Sequence, residues 1–253
     1  MDLKLTGKRA VVSGGSKGIG RAIVEALVDE GAVVSFCART AEDVNAAEQA
    51  LTDRGGAVHG SVLDVGDATA LAAWVESAAT TMGGVDVLIP NVSALNVNND
   101  EEAWAATFNI DLMHTVRMVN AALPHLERSD AASIVVISSV SGREIDFAAG
   151  SYGTMKAALI HYTQGLALQL APKGIRANIV SPGNVYFDGG IWNMIKDNLP
   201  DLYSSALALN PTGRMGRPDE IAAAAVFLAS PVSSFTMGTN LVVDGALTRG
   251  VQF

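Results

Sequence analysis

Two apolar patterns alternate along the chain. Short, nearly unbroken apolar runs predict strands over residues 10–13, 33–37, 60–65, 85–89, 134–137, 174–180 and 240–245, each the length of a buried strand. Longer stretches with apolar positions three and four apart predict helices over 21–30, 42–53, 68–81 and 221–228. Strand and helix in alternation predict an α/β fold with a parallel sheet. Residues 186–213 break the rhythm: Tyr186, Phe187, Ile191, Trp192, Met194, Ile195, Leu199, Leu202 and Tyr203 stand among few charges, punctuated by Gly189-Gly190, Pro200 and Pro211.

Two stretches carry candidate chemistry. Tyr152 and Lys156 are four apart, so on a helix their side chains leave one face a turn apart. Ser139 follows the predicted strand 134–137, where open α/β sheets deliver functional groups. A free tyrosine is a poor acid or base at neutral pH. A neighbouring ammonium favours the phenolate, and a serine hydroxyl can hold an oxygen on which charge develops. The set suits proton transfer to an alcohol or carbonyl oxygen; the alternative is an ordinary amphipathic helix with a snorkelling lysine. At the other end, Gly14-Gly15-Ser16-Lys17-Gly18-Ile19-Gly20 lies between a predicted strand and a predicted helix. Such a turn lets backbone approach a ligand, and the helix N-terminus offers unpaired N–H groups to phosphate.

Together these stretches resemble the short-chain dehydrogenase/reductase family over nearly the whole chain. The family's Thr-Gly-x-x-x-Gly-x-Gly is met by Ser13, Gly14, Gly18 and Gly20, and its catalytic serine, tyrosine and lysine by Ser139, Tyr152 and Lys156. The resemblance implies one Rossmann-fold domain over residues 1–253, a doubly wound parallel seven-stranded sheet flanked by helices. It also implies that Ser16 and Ile19 join the glycines in binding the cofactor. Tyr152 and Lys156 then touch the cofactor as well. Asp64 and Val65 are expected at the adenine, Asn91 under the nicotinamide, and Pro182, Gly183 and Val185 beside it. The segment 186–213 is expected to cover the substrate, with Val92, Tyr186, Phe187 and Trp192 as contacts and an apolar or aromatic ketone or alcohol as ligand. The alternative is a helical hairpin packed on the core or on a neighbouring subunit.

The end of the second strand bears on the choice of nicotinamide cofactor. NAD-preferring members hold the ribose 2′-hydroxyl with an acidic residue there. This chain has Ala38 and then Arg39, which leaves room for a 2′-phosphate and a guanidinium to pair with it, and Lys17 adds a second cation. NADP(H) is expected over NAD(H). Other positions depart from the family pattern. Pro90-Asn91-Val92-Ser93 stands where Asn-Asn-Ala-Gly is usual, and Phe187 replaces a threonine. The family's active-site asparagine falls on Asp111, whose backbone carbonyl is expected to serve the proton relay to Lys156.

Composition narrows the partners. Among 253 residues, 49% are apolar, enough for a large core. Net charge is −9 with scattered Lys and Arg, which argues against nucleic acid and anionic membrane. The four histidines, His59, His114, His125 and His161, lie far apart and predict no metal site. A single cysteine, Cys37, fits strand packing in a reducing compartment. With no signal-like start and no spanning apolar run, a soluble cytoplasmic protein is expected. The resemblance further implies a homotetramer or homodimer. A 3-oxoacyl carrier-protein reductase and a hydroxysteroid or sugar dehydrogenase keep every motif; the net negative charge disfavours docking of an acidic carrier. A non-catalytic NADPH-binding regulator is opposed by the intact Ser139, Tyr152 and Lys156.

Overall fold

Alternate residues of the apolar runs feed two cores on opposite faces of one sheet. The computed structural model describes residues 2–251. In order, the first half is β1 (Arg9–Ser13), α1 (Gly18–Asp29), β2 (Val33–Ala38), α2 (Ala41–Thr52), β3 (Val58–Val62), α3 (Ala68–Met82) and β4 (Val87–Ile89). The second half is α4 (Glu101–Thr107), a π-helical turn (Phe108–Met113), α5 (His114–Leu126), β5 (Ser133–Ile137), α6 (Ser151–Leu170) and β6 (Arg176–Pro182). It ends with α7 (Ile191–Asn198), α8 (Pro200–Ala208), α9 (Pro218–Ala229) and β7 (Asn240–Val243).

The strands lie in the order β3-β2-β1-β4-β5-β6-β7, every pair parallel. Val12, Ile89 and Val135 point to a core shared with α1, α2 and α9; their neighbours Val11, Leu88 and Ile134 point to one shared with α3, α5 and α6. Each such aliphatic side chain, fully buried, contributes about 1.5–3 kcal/mol. This is why the runs are apolar at every position and not at every second one. Strand order reverses between β1 and β4, and the crevice at that point opens at the carboxyl ends of the strands.

Several boundaries differ from the sequence reading. β3 occupies Val58–Val62, because pairing sets Val34 against Val58 and Ala38 against Val62; Asp64 and Val65 therefore lie in the loop beyond it. β6 runs on to Pro182, which pairs with Val243 on edge strand β7. The segment 186–213 folds into the short helices α7 and α8, with Pro200 in the first turn of α8.

Candidate active site

The crevice holds a cavity of about 560 Å³. At one end the glycine turn lines it through Gly14, Ser16, Lys17, Gly18, Ile19 and Gly20. A Cβ on Gly20 would lie 2.1 Å from the Gly14 carbonyl oxygen, so only glycine lets the turn fold back onto α1. No side chain caps the first turn of α1, which leaves its amides to the cleft. Asn91 braces the turn from β4: its Nδ2 donates to the Ser13 and Gly14 carbonyls at 3.2 and 3.4 Å. Arg39 lines the same cleft from the end of β2. Lys17 lines it too, but its Nζ is 2.8 Å from Asp43 Oδ2, so that cation is already shared with a carboxylate. A diphosphate donor set, a glycine cradle and a guanidinium at the ribose end fit a phosphorylated dinucleotide. Cys37, just behind the turn, is buried and its thiol is pushed up to about 12 by that burial, so it is no nucleophile.

The other end of the cleft is lined by Ser139, Tyr152 and Lys156, with Pro182, Gly183 and Val185 opposite. Tyr152 and Lys156 share one face of α6, and the lysine Nζ is 5.5 Å from the tyrosine ring centroid. The loop after Ser139 packs closely on α6, where a Cβ on Gly142 would lie 2.6 Å from the Lys156 carbonyl carbon, and the Ser139 hydroxyl accepts from the Ser141 N–H at 3.2 Å. Ser138 Oγ also donates to the Lys156 carbonyl at 2.9 Å, tying the end of β5 to α6.

Behind Lys156 sits Asp111, on the π-helical turn that joins α4 to α5. Lys156 Nζ is 3.2 Å from Asp111 Oδ1, and the two side chains are 3% and 0% exposed. The contact is electrostatic: its geometry falls short of a hydrogen bond, and Oδ1 has no hydrogen-bond partner. Nζ also donates to the Ile137 carbonyl at 3.4 Å, and Asp111 Oδ2 accepts from the Ala94 N–H at 3.0 Å. The sequence reading placed Asp111's backbone toward the relay. Here its carboxylate faces the lysine, while its carbonyl accepts from Thr115 Oγ1 at 3.2 Å.

Other expected contacts divide. Val65, Asn91, Val92, Phe187 and Trp192 line the cleft. Asp64 is not among the residues that line it: its carboxylate accepts from the Gly66 N–H at 2.9 Å, closing a local turn. Tyr186 also turns away, its ring edge-on to Tyr203 with centroids 6.2 Å apart inside the α7–α8 cluster. Phe187 stands against the glycine turn, where a Cβ on Gly18 would come 2.5 Å from its ring. No trio of His, Cys, Asp or Glu able to hold a metal occurs among the described residues. Among those residues, no helix is long and apolar enough to cross a membrane.

The chain matches a family model described as enoyl-(acyl carrier protein) reductase over residues 14–248. It is 40% identical to the isoepoxydon dehydrogenase of Penicillium expansum, an alignment that covers 98% of both chains. The chain belongs to the short-chain dehydrogenase/reductase family. Among solved structures, an NADPH-bound short-chain oxidoreductase from Pseudomonas aeruginosa PAO1 with an atypical catalytic centre superposes with TM-score 0.87 at 34% identity, covering 96% and 97% of the two chains. A Burkholderia cenocepacia short-chain dehydrogenase in complex with NADP gives TM-score 0.86 at 30% identity, with 96% and 99% covered. The protein is thus an oxidoreductase of the short-chain dehydrogenase/reductase family, with a seven-stranded Rossmann-like fold.

In this short-chain dehydrogenase/reductase, His114 has a place that sequence reading did not reveal. Its Nδ1–H donates to the Ile110 carbonyl at 3.1 Å, so Nε2 carries the lone pair and accepts the Ser13 hydroxyl at 2.9 Å. Ser13 Oγ in turn accepts the Asn91 N–H at 2.9 Å. The imidazole thereby joins the strand before the glycine turn to the turn that carries Asp111. The partners are 101 residues apart, so no local pattern signals the contact. Burial holds the imidazole neutral and pushes it down to about 4, against the Ile110 carbonyl, which favours the charged form; Lys156 and Arg117 add repulsion and Asp111 attraction. An unfolded histidine binds its proton near pH 6.5. Between pH 6.5 and 4 the unfolded chain therefore takes up a proton that the fold refuses, and stability falls as pH falls. The expected loss is about 2 kcal/mol between pH 7 and pH 5. Urea unfolding at pH 7, 6 and 5 checks it: His114→Gln should flatten the dependence, and an unchanged slope in the variant would assign the loss elsewhere.

Proposed function

We propose that the protein catalyses reversible hydride transfer between NADP(H) and a ketone or secondary alcohol, with Tyr152 as the acid and base. The observation that carries this reading is the single cleft, lined at one end by the glycine turn and Arg39 and at the other by Ser139, Tyr152 and Lys156. When bound, the reduced dinucleotide supplies the hydride to the carbonyl carbon. Tyr152 gives its phenolic proton to the oxygen, and Ser139 holds that oxygen as charge develops on it. Lys156 keeps a positive charge beside the phenol ring, 5.5 Å from its centroid, and offers its remaining donors to the cofactor ribose. Asp111 holds the ammonium from behind. The apolar cleft residues Leu95, Trp192 and Met194 favour an apolar or aromatic substrate.

Because Lys17 is engaged by Asp43, Arg39 bears the choice of NADP(H) over NAD(H). The NADPH-bound and NADP-bound relatives support the same choice. Fluorescence titration of NADPH and NADH on wild type and Arg39→Ala tests it. A charge-assisted contact to the 2′-phosphate contributes about 1.5–3 kcal/mol, so Arg39→Ala should weaken NADPH binding roughly ten- to a hundredfold and leave NADH unchanged. Equal binding of the two cofactors by wild type overturns the cofactor assignment; binding of neither overturns the catalytic reading.

A further inference from the structure

The π-helical turn Phe108–Met113 is where Lys156 and the loop after β4 come together. In an α-helix the backbone N–H of His114 would bond to the Ile110 carbonyl, four residues back. Here it bonds to the Asn109 carbonyl, five back, so the Ile110 carbonyl loses that donor. The His114 side chain supplies the replacement, since Nδ1–H donates to Ile110 at 3.1 Å. One ring nitrogen thus satisfies the carbonyl that the wider turn sets free. Asp111 is the next residue, and the register of the turn aims its carboxylate at Lys156.

The other ring nitrogen acts across the fold. Nε2 accepts the Ser13 hydroxyl at 2.9 Å, which commits the Ser13 proton and leaves its oxygen to accept the Asn91 N–H at 2.9 Å. Asn91 opens a loop whose residues Asn91, Val92 and Ser93 line the cleft. The turn itself holds the far end of that loop, because the Ala94 N–H donates to Asp111 Oδ2 at 3.0 Å. Both ends of the loop therefore lead to His114, one through Ser13 and the other through Asp111. His114, Ser13 and Asp111 are all fully buried. A bond lost here leaves its partner without solvent to replace it.

We propose that His114 is a positioning residue with two separable tasks: Nδ1 holds the π register that sets Asp111 behind Lys156, and Nε2 fixes the Ser13 hydroxyl that anchors the cleft loop at Asn91. The first task serves proton transfer at Tyr152 and rests on the oxidoreductase reading above. The second serves cofactor binding and stands apart from turnover.

Two substitutions separate the tasks. An asparagine amide reaches about as far as Nδ1, and a glutamine amide about as far as Nε2. His114→Asn keeps a donor for Ile110 and gives up the acceptor for Ser13. It should weaken NADPH binding about five- to tenfold in fluorescence titration, while kcat for acetophenone at saturating NADPH falls less than about threefold. His114→Gln keeps the acceptor and gives up the donor. It should lower kcat about tenfold and move the NADPH Kd less than about threefold. A residue that only fills space shows no such division. If the two variants change kcat and Kd in the same proportion, or change neither, the inference is overturned. Nitrogen-15 NMR of histidine-labelled wild type reads the tautomer without relying on a variant's activity. The resonances missing from His114→Gln should show Nδ1 protonated and Nε2 bare at pH 7, and the opposite tautomer overturns the inference. If wild type reduces neither acetophenone nor cyclohexanone, the ketone reading falls, and the difference in NADPH Kd between the two variants then decides the inference without it.

Discussion

Tyr152→Phe is expected to lower kcat for carbonyl reduction by about 10³-fold while the Kd for NADPH stays within about twofold of wild type. The substitution removes the phenolic oxygen and keeps the ring. The ammonium of Lys156, 5.5 Å from the ring centroid, keeps its aromatic neighbour, and the glycine turn at the other end of the cleft is untouched. Loss confined to the chemical step is what a proton donor shows; loss of cofactor binding in parallel is what a wall residue shows. Single-turnover NADPH oxidation with fluorescence titration separates the two. If a tenth or more of the wild-type rate survives, the proton comes from another group and the assignment of Tyr152 fails.

The second large effect belongs to Asp111. Its carboxylate is 3.2 Å from the Lys156 ammonium with both side chains almost wholly out of water. Removing one partner of such a pair leaves a buried charge uncompensated, at a cost of about 3–5 kcal/mol. Asp111→Leu should therefore lose that much stability in urea unfolding and most of its turnover, because Lys156 then loses the carboxylate that holds it in place. Asp111→Asn keeps an amide oxygen for the Ala94 N–H and a dipole for the ammonium, so its activity should remain within about tenfold of wild type and its stability loss should be the smaller. The pair of variants separates polarity from charge. A collapse of Asp111→Asn beyond tenfold makes the carboxylate's charge essential; an Asp111→Leu variant as stable as wild type makes the ion pair energetically idle.

The two expectations also differ in where they come from. Tyr152 and Lys156 were legible as a unit because a four-residue spacing on one helix is a local geometric fact, and α6 carries both on one face whatever surrounds it. The glycine turn was legible for a similar reason: strand, turn and helix are adjacent in the chain, and the contact of Gly20 with the Gly14 carbonyl closes over six residues. The parallel sheet followed from apolar runs too continuous for a one-sided strand, and Val11 and Val12 do point into different cores. β3 and β6 differ from the expected strands in their bounds and not in their existence. β3 takes its bounds from pairing with Val34 to Ala38 on β2, which no property of residues 58–65 states.

What only the tertiary structure decided is every contact between elements. The family pattern pointed the backbone of Asp111, and not its carboxylate, toward Lys156, and nothing near His114 announces Ser13. Nothing near Lys17 in the chain shows that the start of α2 brings Asp43 within 2.8 Å of its ammonium. Tyr186 and Phe187 are neighbours with similar rings, yet one packs into the α7–α8 cluster and the other against Gly18, because successive side chains leave an extended backbone on opposite sides and packing selects which side is the cleft. Phe147, on the loop before α6, meets Trp192 on α7, an approach that depends on how α7 settles against that loop. By itself the sequence determined the chemistry at each position and the local geometry that spacing dictates. The fold decided which of those groups meet, since pairing and packing act over distances along the chain that no local pattern encodes.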